Sequence, residues 1–142
     1  MKPYLEHVNI TTTSIADLVV FLQTAVPQWE VRNGSDGKQN NCRWLHLGSV
    51  ENYIAIEERD GPDESPHQTY FHPGLNHYGI VVEDVDSLMD RMVSAGYKEG
   101  NHVLEHPFRK RCYFFDHDGG EWEFVEYLSV DTSEMNDYSD MP

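Results

Sequence analysis

The chain has 142 residues, of which 39% are hydrophobic and 12% aromatic, a composition that suits one globular domain with a single core. Its formal net charge of −15 argues against nucleic acid as a partner, because a phosphate backbone would be repelled rather than neutralised. No apolar run approaches the roughly 20 residues of a membrane span. The opening Met1-Lys2-Pro3-Tyr4-Leu5-Glu6-His7 lacks the apolar stretch of a signal peptide, so a cytoplasmic protein without membrane contact is expected. Cys42 and Cys112 have no CxxC partner and read as reduced, mostly buried thiols.

Residues 4–12 alternate and are rich in β-formers. Ser14 then caps a helix expected over 14–25, with Asp17 in its first turn and Ile15, Leu18, Val19 and Leu22 on one face. Strands are expected at 29–33, 42–48 and 52–58, with turns at Asn33-Gly34-Ser35-Asp36-Gly37 and Gly48-Ser49-Val50-Glu51. A polar connector, 59–73, holds Pro62, Pro66 and Pro73. The same order then returns. Residues 75–82 form a strand, and Asp84 caps a helix over 84–95 with Val85, Leu88, Met89, Met92 and Val93 on one face. Strands are expected near 102–105, 110–116 and 121–128, with a tight turn at Asp116-His117-Asp118-Gly119-Gly120. Residues 129–142 carry four acids, no bases and no periodicity, and are expected to be a mobile acidic tail.

The two halves keep register. His7 and His77 are 70 residues apart, as are the caps Ser14 and Asp84, and the later strands align at an offset of 68. The change of two is one loop-length difference. The expected architecture is therefore α+β: two tandem βαβββ modules, 4–58 and 74–128, forming a shared cleft within a single domain over 1–128.

Strand parity places the chemistry, since side chains at i and i+2 share a face. His7 faces with Leu5 and Asn9, His77 with Leu75 and Gly79, and Glu123 with Glu121, Val125 and Tyr127. A lone strand histidine is ordinarily a hydrogen-bonded structural residue. Two at equivalent positions of a repeat would instead face one cavity, with Glu123 beside them. Two imidazoles and a carboxylate, with coordination positions left open, suit one divalent ion such as Fe(II), Mn, Ni or Zn.

Leu5-Glu6-His7-Val8, Leu75-Asn76-His77-Tyr78-Gly79-Ile80 and the Asp-x-Asp-Gly-x-x-x-Glu element from Asp116 to Glu123, set in tandem βαβββ modules, resemble the vicinal oxygen chelate superfamily. That group includes glyoxalase I, extradiol dioxygenases, fosfomycin-resistance thiol transferases and bleomycin-resistance proteins. The likeness covers residues 4–128. It implies that His7, His77 and Glu123 are the metal ligands, that the ion chelates a small oxygen-bearing substrate, and that the chain forms a homodimer. Glyoxalase I places a fourth ligand where the repeat register puts Ala55, which cannot ligate. Glu57 lies two residues on, on the same face, where a slip of register would make it the ligand; otherwise it is the candidate catalytic base.

His46 is a candidate cleft residue, against a structural role in its strand. Phe108-Arg109-Lys110-Arg111 gathers three of the ten Lys and Arg residues. This run is either a solvated loop and strand start or a clamp in which Arg109 and Arg111 bind an anionic substrate group. Tyr53, Tyr113 and Tyr127 are strand aromatics that could line the cavity. The resulting expectation is a metal-dependent lyase or isomerase, dioxygenase or thiol transferase. The alternatives are a metal-free small-molecule binding protein of the bleomycin-resistance type, or an interaction domain with vestigial histidines.

Overall fold

The computed structural model describes residues 2–35, 43–60, 66–101 and 105–139. They form two compact units, Met1–Pro66 and His67–Pro142. The first contains β1 (His7–Thr12), α1 (Ile15–Ala25), β2 (Glu30–Ser35), β3 (Arg43–Gly48) and β4 (Tyr53–Glu58). The second contains β5 (Tyr78–Val81), α2 (Val85–Ser94), β6 (Lys98–Glu99), β7 (Arg109–Phe115), β8 (Glu121–Tyr127) and α3 (Thr132–Met135). The sheets run β1-β4-β3-β2 and β5-β8-β7-β6. In both, the first strand pairs in parallel with the last and the other pairings are antiparallel. The protein is thus α+β, with the duplicated βαβββ order that the sequence predicts.

Each helix begins as its sequence dictates. The Ser14 side chain accepts from the Asp17 amide, and the Asp84 side chain from the Ser87 amide, satisfying amides that have no partner within the helix. A second device recurs at the offset of the repeat. Glu58, closing β4, accepts the Ile15 amide at 2.8 Å, and Glu126, near the end of β8, accepts the Val85 amide at 2.9 Å. A carboxylate from the last strand therefore anchors the positive end of each helix.

The helices pack on one face of each sheet. In the first unit Ile15, Leu18, Phe21 and Leu22 of α1 are buried, as are Leu47, Ile54 and Ile56 of the sheet. In the second, Val85, Leu88 and Met92 of α2 are buried with Phe114, Trp122 and Phe124. Val19 and Met89 are only part-buried, and Val93 is exposed. The buried stripe of α2 is narrower than the sequence pattern predicts, whereas that of α1 replaces Val19 with Phe21 and Ala25.

Several strand boundaries differ from expectation. β1 begins at His7 rather than at residue 4, and β5 at Tyr78 rather than at residue 75, so His77 lies just before its strand. Asn33, Gly34 and Ser35 belong to β2 rather than to a turn, because a register shift between Val31 and Asn33 lets the strand continue against β3. Asp36, Gly37 and Cys42 lie outside the described residues. Residues 102–104 of the strand expected near 102–105 also lie outside them. The described strand before β7 is the two-residue β6, paired with Phe114 and Phe115. The amide of Gly100 prolongs it by donating to the Tyr113 carbonyl at 2.7 Å. A β-carbon on Gly100 would lie 2.5 Å from that of Tyr113, so only glycine brings the two backbones this close. No described helix is long and apolar enough to cross a membrane.

Cys112 is a free, buried thiol on β7. Burial, reinforced by the charges of Glu99 and Glu123, pushes its pKa up to about 12, so the nucleophilic thiolate is scarce at neutral pH. In a Cys42→Ser variant, a thiol-disulfide reagent at pH 8 is expected to leave the native protein unmodified and to label one thiol per chain in denaturant. Rapid labelling of the native variant would contradict this burial.

Candidate metal centre

The Asp116–Glu123 element works as a delivery device for its last residue. One carboxylate oxygen of Asp116 accepts the amides of Asp118 and Gly120 at 3.0 and 2.8 Å, while the other accepts the Trp122 indole N–H at 2.8 Å. Gly119 supplies the positive φ of the turn, +80°. Burial raises the Asp116 pKa, and these donors oppose the rise. With Trp122 and Phe124 committed to the core, parity turns Glu121 and Glu123 to the opposite face of β8.

The parallel register sets Gly79 beside Glu123, and His77 stands two residues earlier. Nε2 of His77 lies 3.1 Å from Oε2 of Glu123. Two ligands about 2.1 Å from one ion, at a right angle, stand about 3.0 Å apart, so this pair has the spacing of adjacent ligands on a single metal. Gly79 places no side chain over the carboxylate; even a β-carbon there would sit 4.0 Å from Oε2. Tyr113 stands opposite Glu123 on β7. Burial first, then its interaction with that carboxylate and the negative charge, hold its phenol well above the usual range. The His77 ring meets Tyr113 edge-on at 5.7 Å.

Tyr70 is a participant that sequence reasoning missed. It lies in the connector, with φ +63°, a left-handed conformation that is uncommon for an aromatic residue. Its hydroxyl lies 2.9 Å from Nδ1 of His77 and donates to Oε2 of Glu121 at 2.5 Å. Burial, then the Glu121 bond, push its pKa up to about 12. Glu121 is itself buried, and its other oxygen has no hydrogen-bond partner among the described residues.

In the first unit, His7 lies parallel to the Tyr53 ring at 5.0 Å, and its Nδ1 is 2.9 Å from a Glu6 oxygen. His46 stacks on Tyr53 at 4.6 Å, and the Arg32 guanidinium sits 4.3 Å over the same ring. Burial, followed by Arg32, lowers the pKa of His46. Asn9 pairs with Ala55 on the rung where Gly79 pairs with Glu123 in the second unit. Glu57 lies one same-face step further, accepting from Asn9 at 3.4 Å and paired with Arg59 at 2.7 Å. Within either unit by itself, the described residues include no group of three or more His, Cys, Asp or Glu able to hold an ion. The second unit brings together two of the three predicted ligands; His7 belongs to the first.

Of the predicted anion clamp, Arg111 shares the site face. It pairs with Val125 on the rung beside Tyr113 and Glu123, and its Nε is buried without a hydrogen-bond partner among the described residues. Arg109 is engaged elsewhere. It is 3% exposed, donates to the carbonyls of Met135 and Asp137 at 3.1 and 2.8 Å, and lies 4.2 Å over the Tyr138 ring. The tail thus carries a short helix and a fixed arginine contact, which its composition did not suggest.

The family model for the Glyoxalase/Bleomycin resistance protein/Dioxygenase superfamily matches residues 5–124. The chain belongs to that superfamily. Solved structures share its fold at low identity. A glyoxylase/bleomycin resistance protein/dioxygenase domain from Frankia sp. EAN1pec is 21% identical, with a TM-score of 0.70 over 89% of this chain and 99% of that one. The fosfomycin resistance protein FosX from Listeria monocytogenes, complexed with Mn(II) and sulfate, is 19% identical, with a TM-score of 0.70 over 96% of this chain and 100% of that one. A mutant of the Listeria protein, complexed with Mn(II) and 1S,2S-dihydroxypropylphosphonic acid, is 18% identical, with a TM-score of 0.70 over the same shares. No curated protein matches the sequence.

The superfamily match ends at residue 124, so α3 and the carbonyls that hold Arg109 lie beyond it. Replacing Arg109 with Met is expected to free the tail, speeding amide hydrogen exchange over 131–139. The lost charged hydrogen bonds should cost about 1–3 kcal/mol of stability, read from urea unfolding. Unchanged exchange in the tail would show that other contacts hold it.

Proposed function

We propose that this chain is a metal-dependent enzyme acting on a small oxygen-bearing molecule, with His77, Glu123 and His7 as the protein ligands of one divalent ion. The observation that supports this most is the His77–Glu123 pair, an imidazole nitrogen and a carboxylate oxygen 3.1 Å apart beside a glycine. Nitrogen and oxygen donors of this kind suit Mn, Fe, Ni or Zn. The Listeria FosX structures, which hold Mn(II) with sulfate or a phosphonic acid, favour Mn(II) and an anionic substrate. A bound ion would supply Lewis-acid chemistry at adjacent substrate oxygens, or dioxygen chemistry if it is iron.

The chain's own residues then have separate tasks. Tyr113, opposite Glu123 on the neighbouring strand, orients the carboxylate. Arg111 receives an anionic group of the substrate. Glu57 is the candidate base for proton transfer, and reaching substrate would require it to leave Arg59. Ala55 occupies the rung matching that of Glu123, so three protein ligands leave positions for substrate. His7 joins the pair from the same chain or, in a homodimer, from a second copy.

The stacked set of His7, Tyr53 and His46 under Arg32 favours a second reading, a metal-free binder that holds a flat ligand on this platform.

Calorimetric titration with Mn(II) and Zn(II) of protein purified without affinity-column metal separates the two readings. The enzyme reading expects one ion per chain, with affinity reduced at least about 100-fold in His77→Ala and Glu123→Ala. No ion binding by the wild type would leave the binder. Mixing His7→Ala with Glu123→Ala and recovering strong sites would place the ligands on different chains; no recovery would place them on one.

Glu57→Ala is expected to leave ion affinity and stoichiometry unchanged. A large loss, with one fewer protein ligand by spectroscopy, would make Glu57 a ligand and favour isomerase chemistry of the glyoxalase kind.

A further inference from the structure

The carboxylate nearest His77 creates a problem that the connector solves. A neutral imidazole carries one proton, on Nδ1 or on Nε2, and the partner of one nitrogen decides the state of the other. In the second unit Nε2 faces Glu123 at 3.1 Å, while Nδ1 faces the Tyr70 hydroxyl at 2.9 Å. Left to the pair alone, the proton would settle on Nε2 and donate to Glu123, occupying the lone pair an ion needs.

Tyr70 opposes that outcome. Its single hydroxyl proton has two possible acceptors, Nδ1 of His77 and Oε2 of Glu121. The Glu121 contact is the shorter, 2.5 Å, and a carboxylate is the stronger acceptor. With its proton directed to Glu121, the Tyr70 oxygen is an acceptor toward His77. Only a proton on Nδ1 satisfies that contact.

We propose that Tyr70 is a positioning residue that holds the His77 proton on Nδ1, through the chain Glu121–Tyr70–His77, and so presents the Nε2 lone pair beside Glu123 to a cation. The consequence for metal binding rests on the reading of His77 as a ligand; the tautomer assignment does not.

The connector is built to hold Tyr70 there. Its amide donates to Asn76 Oδ1 at 2.7 Å, and the His72 amide donates to the Gln68 carbonyl at 2.9 Å. The Gln68 amide donates to Nδ1 of His72 at 2.9 Å, and His67 Nε2 contacts the Leu75 carbonyl at 2.8 Å. These bonds hold the positive φ of Tyr70, a conformation that persists only where its surroundings over-determine it. Glu121 has few alternatives: it is buried on β8, and its bond to Tyr70 is the one its Oε2 makes among the hydrogen bonds described. The arrangement has the form of an outer hydrogen bond that sets a ligand's tautomer and orientation.

The test combines a spectroscopic and a binding measurement on the full chain. In 15N-labelled metal-free protein at pH 8, with His77 identified by comparison with His77→Gln, the wild type is expected to show a hydrogen-bonded proton on Nδ1. In Tyr70→Phe, which keeps the ring and loses only the hydroxyl, that proton should move to Nε2 or exchange with solvent. Zn(II) affinity should fall about 10- to 100-fold, and Glu121→Gln should shift both readouts in the same direction by less. A wild-type His77 protonated on Nε2 with a bare Nδ1 would overturn the proposal. So would a Tyr70→Phe variant with an unchanged imidazole spectrum and unchanged Zn(II) affinity. A Tyr70-dependent Nδ1 proton in a protein that binds no divalent ion would support the tautomer assignment while removing the metal reading.

Discussion

The site depends on the parallel pairing of the first and last strands in each unit. An antiparallel neighbour would follow a short turn, but a parallel one needs a crossover, and here the helix and two further strands supply it. The pairing brings a residue from the start of a module beside one from its end: His7 opposite Tyr53, and Gly79 opposite Glu123. Once the helix claims one face of the sheet, every second side chain on these strands is left facing away from the core. His77, the residue just before β5, meets Glu123 because β5 and β8 are locked in that register.

The scaffold is symmetric in its supports and asymmetric in its chemistry. Glu58 and Glu126 anchor α1 and α2 in the same way, and both helices keep their side-chain caps. On the opposite faces the halves have diverged. The rung with Glu123 in one unit has Ala55 in the other, and where the second unit has the buried Glu121, the first has Tyr53 under a guanidinium. Apart from the equivalent His7 and His77, the retained polar positions named here are those that satisfy otherwise unpaired backbone amides, a need common to both units. The positions that differ lie on the face free of that need.

Charge explains the character of the second unit's face. Glu121 and Glu123 stand two residues apart on one strand, and a carboxylate withdrawn from water is costly unless it is hydrogen-bonded or paired. Tyr70 and His77 meet that demand in part, while one oxygen of Glu121 remains without a hydrogen-bond partner among the described residues.

The sequence alone determined the elements, their duplicated order and the side of each strand that carries chemistry, because helix caps, apolar periodicity and two-residue alternation are local properties. Ser14, Asp84 and the alternation around Glu123 were legible for that reason. The pairing of His77 with Glu123 was foreshadowed by repeat register, but its 3.1 Å separation required the parallel strands to be in place. Tertiary structure alone decided the roles of Tyr70 and Arg109. Tyr70 sits in a proline-bearing connector with no periodic signal, and its hydroxyl reaches Glu121, 51 residues away, only after the loop folds back over β8. Arg109 looked like an anion-binding cation because a run of bases signals charge, not partners. Its partners are backbone carbonyls of the tail, and every residue has a carbonyl, so nothing in the tail's side-chain composition could mark them.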